Sequence, residues 1–193
     1  EDSFLLGCNA PMWPSIGTVH GMRVSNDIYR SWEAFTCIAR EVLHRNWQHN
    51  RLWINDPDCV VLENLKSSLS ENEFVFHATF IYASGGMVLS GDDLTNMSER
   101  GFAMLRKLLP PVNRAARFDD RTFRVGRIEL EDRVMLCVFN WGDMPETFEI
   151  GLPWACEIAD VWSGEPLGAH AGKLTLRDVP PHGARLLSCR KIN

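Results

Sequence analysis

The hydrophobic period of the chain changes at Pro110-Pro111, and a chain that changes period there cannot fold as one uniform layer. Before that point short apolar runs alternate with helical stripes. Leu5-Leu6 leads into Gly7, and Met22-Arg23-Val24 forms a brief run ending at Ser25-Asn26-Asp27. From Trp32 the apolar positions 32, 35, 38, 42 and 43 fall on one helix face. Leu52-Trp53-Ile54 reads as a strand that stops at the turn formers Asn55-Asp56-Pro57-Asp58. Ser70 with Glu73 predicts a capping box opening a helix through roughly Tyr82. Met87-Val88-Leu89 is a further short strand, ending at Ser90-Gly91-Asp92-Asp93. Asn96 with Glu99 predicts a second capping box, for a helix striped by Phe102, Leu105 and Leu109 and stopped by Pro110. Strand, polar turn and helix therefore recur about four times, the pattern of a parallel β/α arrangement whose function gathers at the strands' carboxyl ends.

After Asn113 the period becomes two. Phe123 and Val125 alternate, then Ile128 and Leu130 alternate with shifted parity, which predicts a bulge near Gly126-Arg127. Val134 to Phe139 is apolar on both faces and reads as a central strand. Phe148, Ile150 and Leu152 alternate, as do Leu174 and Leu176, with turn signals at Gly142-Asp143, Ser163-Gly164 and Pro180 to Gly183. The expected architecture is α/β over residues 1–113 and an all-β antiparallel β-sandwich over residues 114–193.

Of the 193 residues, 25 are acidic and 20 basic, for a formal charge of −5. A mildly acidic chain without a Lys/Arg run makes nucleic acid an unfavourable partner. No apolar stretch approaches the ~18–20 residues that span a bilayer, so no membrane partner is expected. The six cysteines, Cys8, Cys37, Cys59, Cys137, Cys156 and Cys189, form no close pairs and read mostly as buried thiols in a reducing compartment, the cytoplasm being favoured. The chain begins at Glu1 without an initiator Met and runs at once into Phe4-Leu5-Leu6. A solvated terminus is rarely so apolar, which points to a removed tag or a longer protein.

Three polar clusters stand at strand ends. Arg23 with Asp27 suits a general acid beside a cationic substrate contact, and equally a solvated turn with a surface pair. Asn55, Asp56 and Asp58 around Pro57 read first as turn chemistry, and their spacing matches no known calcium loop. Ser84-Gly85-Gly86 precedes a strand rather than following one, which disfavours a phosphate loop, and Asp92 or Asp93 reads as a cap for the next helix. The six histidines show no metal-ligand spacing. Cys8 has no evident His partner. Trp13, Trp32, Trp47 and Trp53 are candidates to stack on sugar faces, whereas Trp141, Trp154 and Trp162 read as core or interface.

Taken together, Gly7-Cys8-Asn9-Ala10-Pro11, Pro14-Ser15-Ile16-Gly17 and Val19-His20-Gly21-Met22-Arg23-Val24, with Asp27 and Trp32, resemble the retaining α-galactosidases of glycoside hydrolase family 36. Leu52 to Cys59 and Ser84 to Leu94 are similar to later barrel segments of that family, and the Asn-Asp-Pro-Asp core is shared with eukaryotic-type α-galactosidases. The resemblance implies the C-terminal half of a (β/α)8 TIM barrel, strands five to eight, followed by the sandwich. It implies double displacement on terminal α-galactosides such as melibiose and raffinose, with no metal or organic cofactor. Asp27 falls at the general acid/base, Arg23 at a substrate-contacting arginine, and Cys8 at the cysteine that approaches the galactose hydroxyls. Asn55, Asp56 and Asp58 look like scaffold.

Two positions depart from the family pattern: His20 where Asp is usual, and Asn9 where Gly or Ser is usual. Both are expected to flank the sugar subsite and to bear on its preference. The lysine-any-aspartate nucleophile strand is absent from the chain, so the fragment alone is expected to be inactive and its partner to be the missing N-terminal part of the same enzyme. A homo-oligomer is compatible with this reading. Two alternatives stand beside the hydrolase: a galactosyltransferase of the raffinose-synthase type and a non-catalytic carbohydrate-binding module.

Overall fold

Three short strands, Leu6–Gly7 (β1), Gly21–Arg23 (β2) and Ile54–Asp56 (β3), pair side by side in the order β1-β2-β3, all parallel. The computed structural model from which this is read describes residues 3–192. Helix Trp32–His44 (α1) links β2 to β3, with the Ser31 hydroxyl accepting from the Ala34 N–H at its start. The expected strand at 52–54 is shifted two residues toward the polar end. Asn55 and Asp56 can be wholly buried there because each has partners: the Asn55 amide donates to the Arg45 carbonyl, and Asp56 accepts from Arg23.

Helix Glu71–Ser84 (α2) opens with the expected capping box of Ser70 and Glu73. Burial opposes ionisation of Glu73, yet hydrogen bonds from Ser70 and His182 outweigh it and hold the carboxyl below its usual range. The helix ends at Gly85, whose φ of +66° is left-handed, and a Cβ on Gly86 would stand 2.2 Å from the Asn55 carbonyl oxygen. That close approach lets the following segment run beside β3, with Met87 N–H bonding Asn55 O and Val60 N–H bonding Leu89 O. The expected strand at 87–89 is thus reduced to one parallel bridge, Val60 to Ser90.

Helix Glu99–Leu108 (α3) is capped by Ser98, whose hydroxyl accepts from Gly101 N–H at 3.1 Å, and not by Asn96. The Asn96 amide donates instead to Asp93, which also receives Thr95 and so closes a turn before the helix.

The remaining strands are Arg117–Phe118 (β4), Val125–Glu129 (β5), Arg133–Phe139 (β6), Glu146–Gly151 (β7), Cys156–Asp160 (β8), Pro166–His170 (β9), Lys173–Val179 (β10) and Ala184–Lys191 (β11). They form a six-stranded sheet, β4-β5-β6-β11-β8-β9, antiparallel throughout, and an antiparallel pair, β10-β7. β6 is central, as its two-sided apolar pattern requires. The bulge expected near Gly126-Arg127 is absent: β5 pairs with β6 without interruption from Val125 to Glu129. The parity shift arises because Phe123 lies before the strand at φ +54° and reaches the core from a turn, edge-on to Phe118 and His44. The register shifts fall at Leu176/Val179 and Ile158/Ala159.

One apolar cluster joins both regions, running from Met22, Ile38 and Val42 through Phe76 and Phe80 to Phe139 and Leu186. α2 is its centre, because it is buried on both faces: Phe76 meets Trp32 from one side and Phe139 and Trp141 from the other. Trp162 Nε1 donates to Thr79 Oγ1 across the same junction at 2.8 Å. Trp141 and Trp162 are therefore interface residues. A second cluster, including Leu136, Phe148, Ile158 and Leu187, fills the space between the six-stranded sheet and the β7–β10 pair.

Candidate active site

The parallel register sets Arg23, the last residue of β2, directly beside Asp56, the last residue of β3. The Arg23 guanidinium then meets three carboxylates. Its Nε donates to Asp56 Oδ2 at 3.1 Å, its Nη2 lies 2.9 Å from Asp58 Oδ1, and its Nη1 lies 3.2 Å from Asp27 Oδ1. Burial works against the guanidinium charge, but Asp56 and Asp58 outweigh it and raise the Arg23 pKa above its ordinary value.

The three carboxylates are not equivalent. Asp56 is wholly buried and also accepts from Asp58 N–H. Asp58, at φ +72°, accepts from Ile28 N–H and Cys59 N–H at 2.7 Å each, so both its oxygens are engaged. Asp27 is the exception, with a side chain 75 % exposed. The turn chemistry of Asn55-Asp56-Pro57-Asp58 thus builds a fixed anionic seat for Arg23, and Arg23 in turn presents one nitrogen to a carboxylate open to solvent. Among the described residues, no group of three or more His, Cys, Asp or Glu is placed to hold a metal ion.

Glu41 of α1 and Arg45, the residue just past its end, hold the loop that carries Asp27. Glu41 accepts from both the backbone N–H and the side-chain amide of Asn26 at 2.8 Å, and Arg45 Nη1 donates to the Val24 carbonyl at 3.0 Å. Sequence reasoning missed Glu41. Its only signal is a carboxylate one turn before the end of an amphipathic helix, which reads as a solvated position.

Cys8, exposed, follows β1 at the same end of the sheet as Arg23, and its neighbour Asn9 turns the chain there at φ +54°. His20 does not join them. It precedes β2 at the opposite, amino end, where its Nδ1 accepts from Leu5 N–H at 2.9 Å and its ring lies against Phe4. The expectation that His20 flanks the subsite is corrected on that ground: the side chain is occupied in closing the start of the β1–β2 pair.

Asp92 is also corrected. It caps no helix but is a buried acceptor for Leu62 N–H and Glu63 N–H, paired with Arg30. Of the tryptophans weighed as sugar platforms, Trp53 is buried, and Trp32 stacks on His182 with ring centroids 4.1 Å apart. Trp13 and Trp47 remain exposed.

No protein-family model matches the chain. Solved structures do. α-Galactosidase I from Mortierella vinacea superposes with a TM-score of 0.78 at 18% identity, over 97% of this chain and 58% of that one. A GH27 β-L-arabinopyranosidase from Geobacillus stearothermophilus gives 0.74 at 15% identity, over 89% and 45%. The α-galactosidase from Saccharomyces cerevisiae with raffinose gives 0.71 at 10% identity, over 90% and 60%. The chain therefore has an α-galactosidase-like glycoside hydrolase fold. It spans roughly half to three fifths of the length of the structures it matches.

Proposed function

We propose that the chain is the C-terminal part of a retaining α-galactosidase and supplies the general acid/base, Asp27, to a site completed by residues outside it. On this reading residues 1–113 are the C-terminal half of the (β/α)8 barrel, with strands five to eight, and residues 114–193 are the C-terminal sandwich. The observation that carries the reading is the asymmetry around Arg23: two carboxylates locked by backbone N–H groups, and one, Asp27, exposed at a strand's carboxyl end.

A retaining glycosidase needs two carboxyl groups about 5–5.5 Å apart, one to attack the anomeric carbon and one to protonate the leaving oxygen. Neither Asp56 nor Asp58 is free to attack, because their oxygens serve Arg23 and the backbone. The nucleophile is accordingly assigned to a strand outside this chain. In the first half-reaction Asp27 gives its proton to the glycosidic oxygen as the nucleophile bonds to C1. In the second, Asp27 takes a proton from water, which attacks C1 and frees the nucleophile. Arg23, held in place by Asp56 and Asp58, keeps Nη1 toward the sugar and Asp27, and Cys8 and Asn9 form the wall beside it.

Terminal α-galactosides of oligosaccharides such as melibiose and raffinose are the substrate class. The arabinopyranosidase neighbour acts on a sugar of the same ring stereochemistry without the C6 carbon, which fits a pocket that reads the ring hydroxyls. Assay of the purified 193-residue chain on 4-nitrophenyl α-galactoside tests the division of labour. No turnover is expected; measurable turnover would overturn it.

A further inference from the structure

A cleft of about 1060 Å³ lies away from the Asp27 cluster. It opens between the tail of α1 with the segment before β3 on one side and the segment from Asn113 into β5 on the other. It thus approaches the sheet from the amino ends of the strands, whereas Asp27 follows a carboxyl end. Five arginines line it: Arg51, Arg114, Arg117, Arg121 and Arg127.

Three carboxylates share the cleft, and two of them are already satisfied. Asp119 pairs with Arg127 at 2.6 Å, and Asp120 accepts from the Thr122 N–H at 2.8 Å and from its hydroxyl. Hydrogen bonds from Thr122 hold the Asp120 carboxyl below its usual range, so it stays ionised without consuming a guanidinium. Arg114 donates to the Glu129 carbonyl. Among the described residues the Arg51, Arg117 and Arg121 side chains make no ion pair and no hydrogen bond. Five guanidiniums face three carboxylates around one concavity, a surplus of two positive charges that an entering anion offsets while accepting forked hydrogen bonds.

The rim adds a flat apolar platform, Trp47, which is 49% exposed and lines the cleft. The long helix that reaches the cleft, α1, presents its C-terminal end, the wrong polarity for a phosphate cradle. A wide, open concavity with an indole on its rim and guanidinium forks inside matches a ligand with apolar ring faces and repeated single negative charges. We propose that this cleft binds an acidic saccharide through uronate carboxylates on the arginines and a sugar ring on Trp47.

Titration of the chain with trigalacturonate, with neutral galactotriose and with inorganic phosphate, followed by calorimetry and by Trp fluorescence, tests this. Saturable binding of trigalacturonate is expected, with no binding of galactotriose. The exposed double variant Arg117→Gln/Arg121→Gln is expected to weaken it about tenfold or more, through loss of two charge-assisted contacts. Trp47→Ala is expected to weaken it several-fold, while circular dichroism and the thermal midpoint of the arginine variant stay those of the parent. Absent trigalacturonate binding, equal binding of the neutral sugar, or binding indifferent to both variants would overturn the proposal. Phosphate binding as tight as trigalacturonate and independent of Trp47 would also overturn it, leaving a plain oxyanion site. None of these readouts requires turnover, so they stand or fall apart from the role of Asp27.

Discussion

Arg23 Nε donates to Asp56 Oδ2 at 3.1 Å, and Asp56 is wholly buried, so the ion pair that orients the candidate site is also part of the fold's interior. Removing the cation of such a cluster leaves Asp56 buried beside Asp58 with no positive charge to compensate either carboxylate. Arg23→Met is expected to lower unfolding stability by about 3–5 kcal/mol. Asp27→Ala removes an exposed carboxylate and is expected to change stability by about 1 kcal/mol or less. Urea unfolding of the two variants checks the contrast; equal losses would contradict the division into seat and exposed acid.

His77 gives the fold a dependence on acid. It is wholly buried, accepts from Val61 N–H through Nε2 at 3.0 Å, and lies face-to-face with Phe35. Burial, assisted by the charge of Arg30, pushes its pKa down to about 3. Unfolded, it titrates near ~6.5. Between those values the unfolded chain binds the extra proton. Its contribution is therefore complete above about pH 6.5 and is lost as pH falls toward 3. Glu73, held low in the fold, adds loss in the same direction below its ordinary range. Stability measured from pH 7 to 4 should fall with a slope approaching ~1.4 kcal/mol per pH unit, and His77→Gln should remove much of the slope above pH 5. A flat profile in the parent chain would contradict this.

How far local rules reach into this fold is visible at two helix starts. Ser70 and Glu73 were legible because both bonds of the capping box lie within one turn. At α3 the same pattern, Asn96 with Glu99, misleads, because Asp93 claims the Asn96 amide and leaves Ser98 as the cap. Ser98→Ala is expected to cost about 1 kcal/mol, and Asn96→Ala distinctly less. Thermal or chemical unfolding of both variants decides between the two caps.

Long-range partnerships were out of reach of spacing. The strand-end residues Arg23, Asp27, Asp56 and Asp58 could be named from the turns that carry them, but the arrangement that leaves only Asp27 exposed depends on the parallel register of β2 and β3. Asp92 looked like a helix cap because its partner, Arg30, comes from a loop 62 residues earlier. The parity shift at Phe123 looked like a bulge because a turn residue that reaches the core is indistinguishable, by period alone, from a strand residue on the other face. The strand ends near 54 and 87 moved because buried hydrogen bonds, not side-chain polarity, determine where pairing stops.

The thiols separate by burial. Cys8 and Cys37 are exposed, whereas burial pushes Cys137 upward and Cys189 up to about 12. An aromatic disulfide reagent at pH 8 should modify two thiols quickly, Cys59 slowly, and Cys137, Cys156 and Cys189 only on unfolding. Rapid modification of a third or fourth thiol in the folded chain would show that the six-stranded sheet is open around Cys137 and Cys189.

The role of Asp27 is tested most directly in the longer polypeptide that would join this chain to its nucleophile strand, by adding azide to the Asp27→Ala variant with 4-nitrophenyl α-galactoside as substrate. An acid/base carboxylate is dispensable for an activated leaving group but required to activate water, and azide needs no base to attack the glycosyl-enzyme. The account predicts slowed turnover that azide restores, with α-galactosyl azide as the product. β-Galactosyl azide, which marks loss of the nucleophile, or turnover unchanged by the substitution would contradict it.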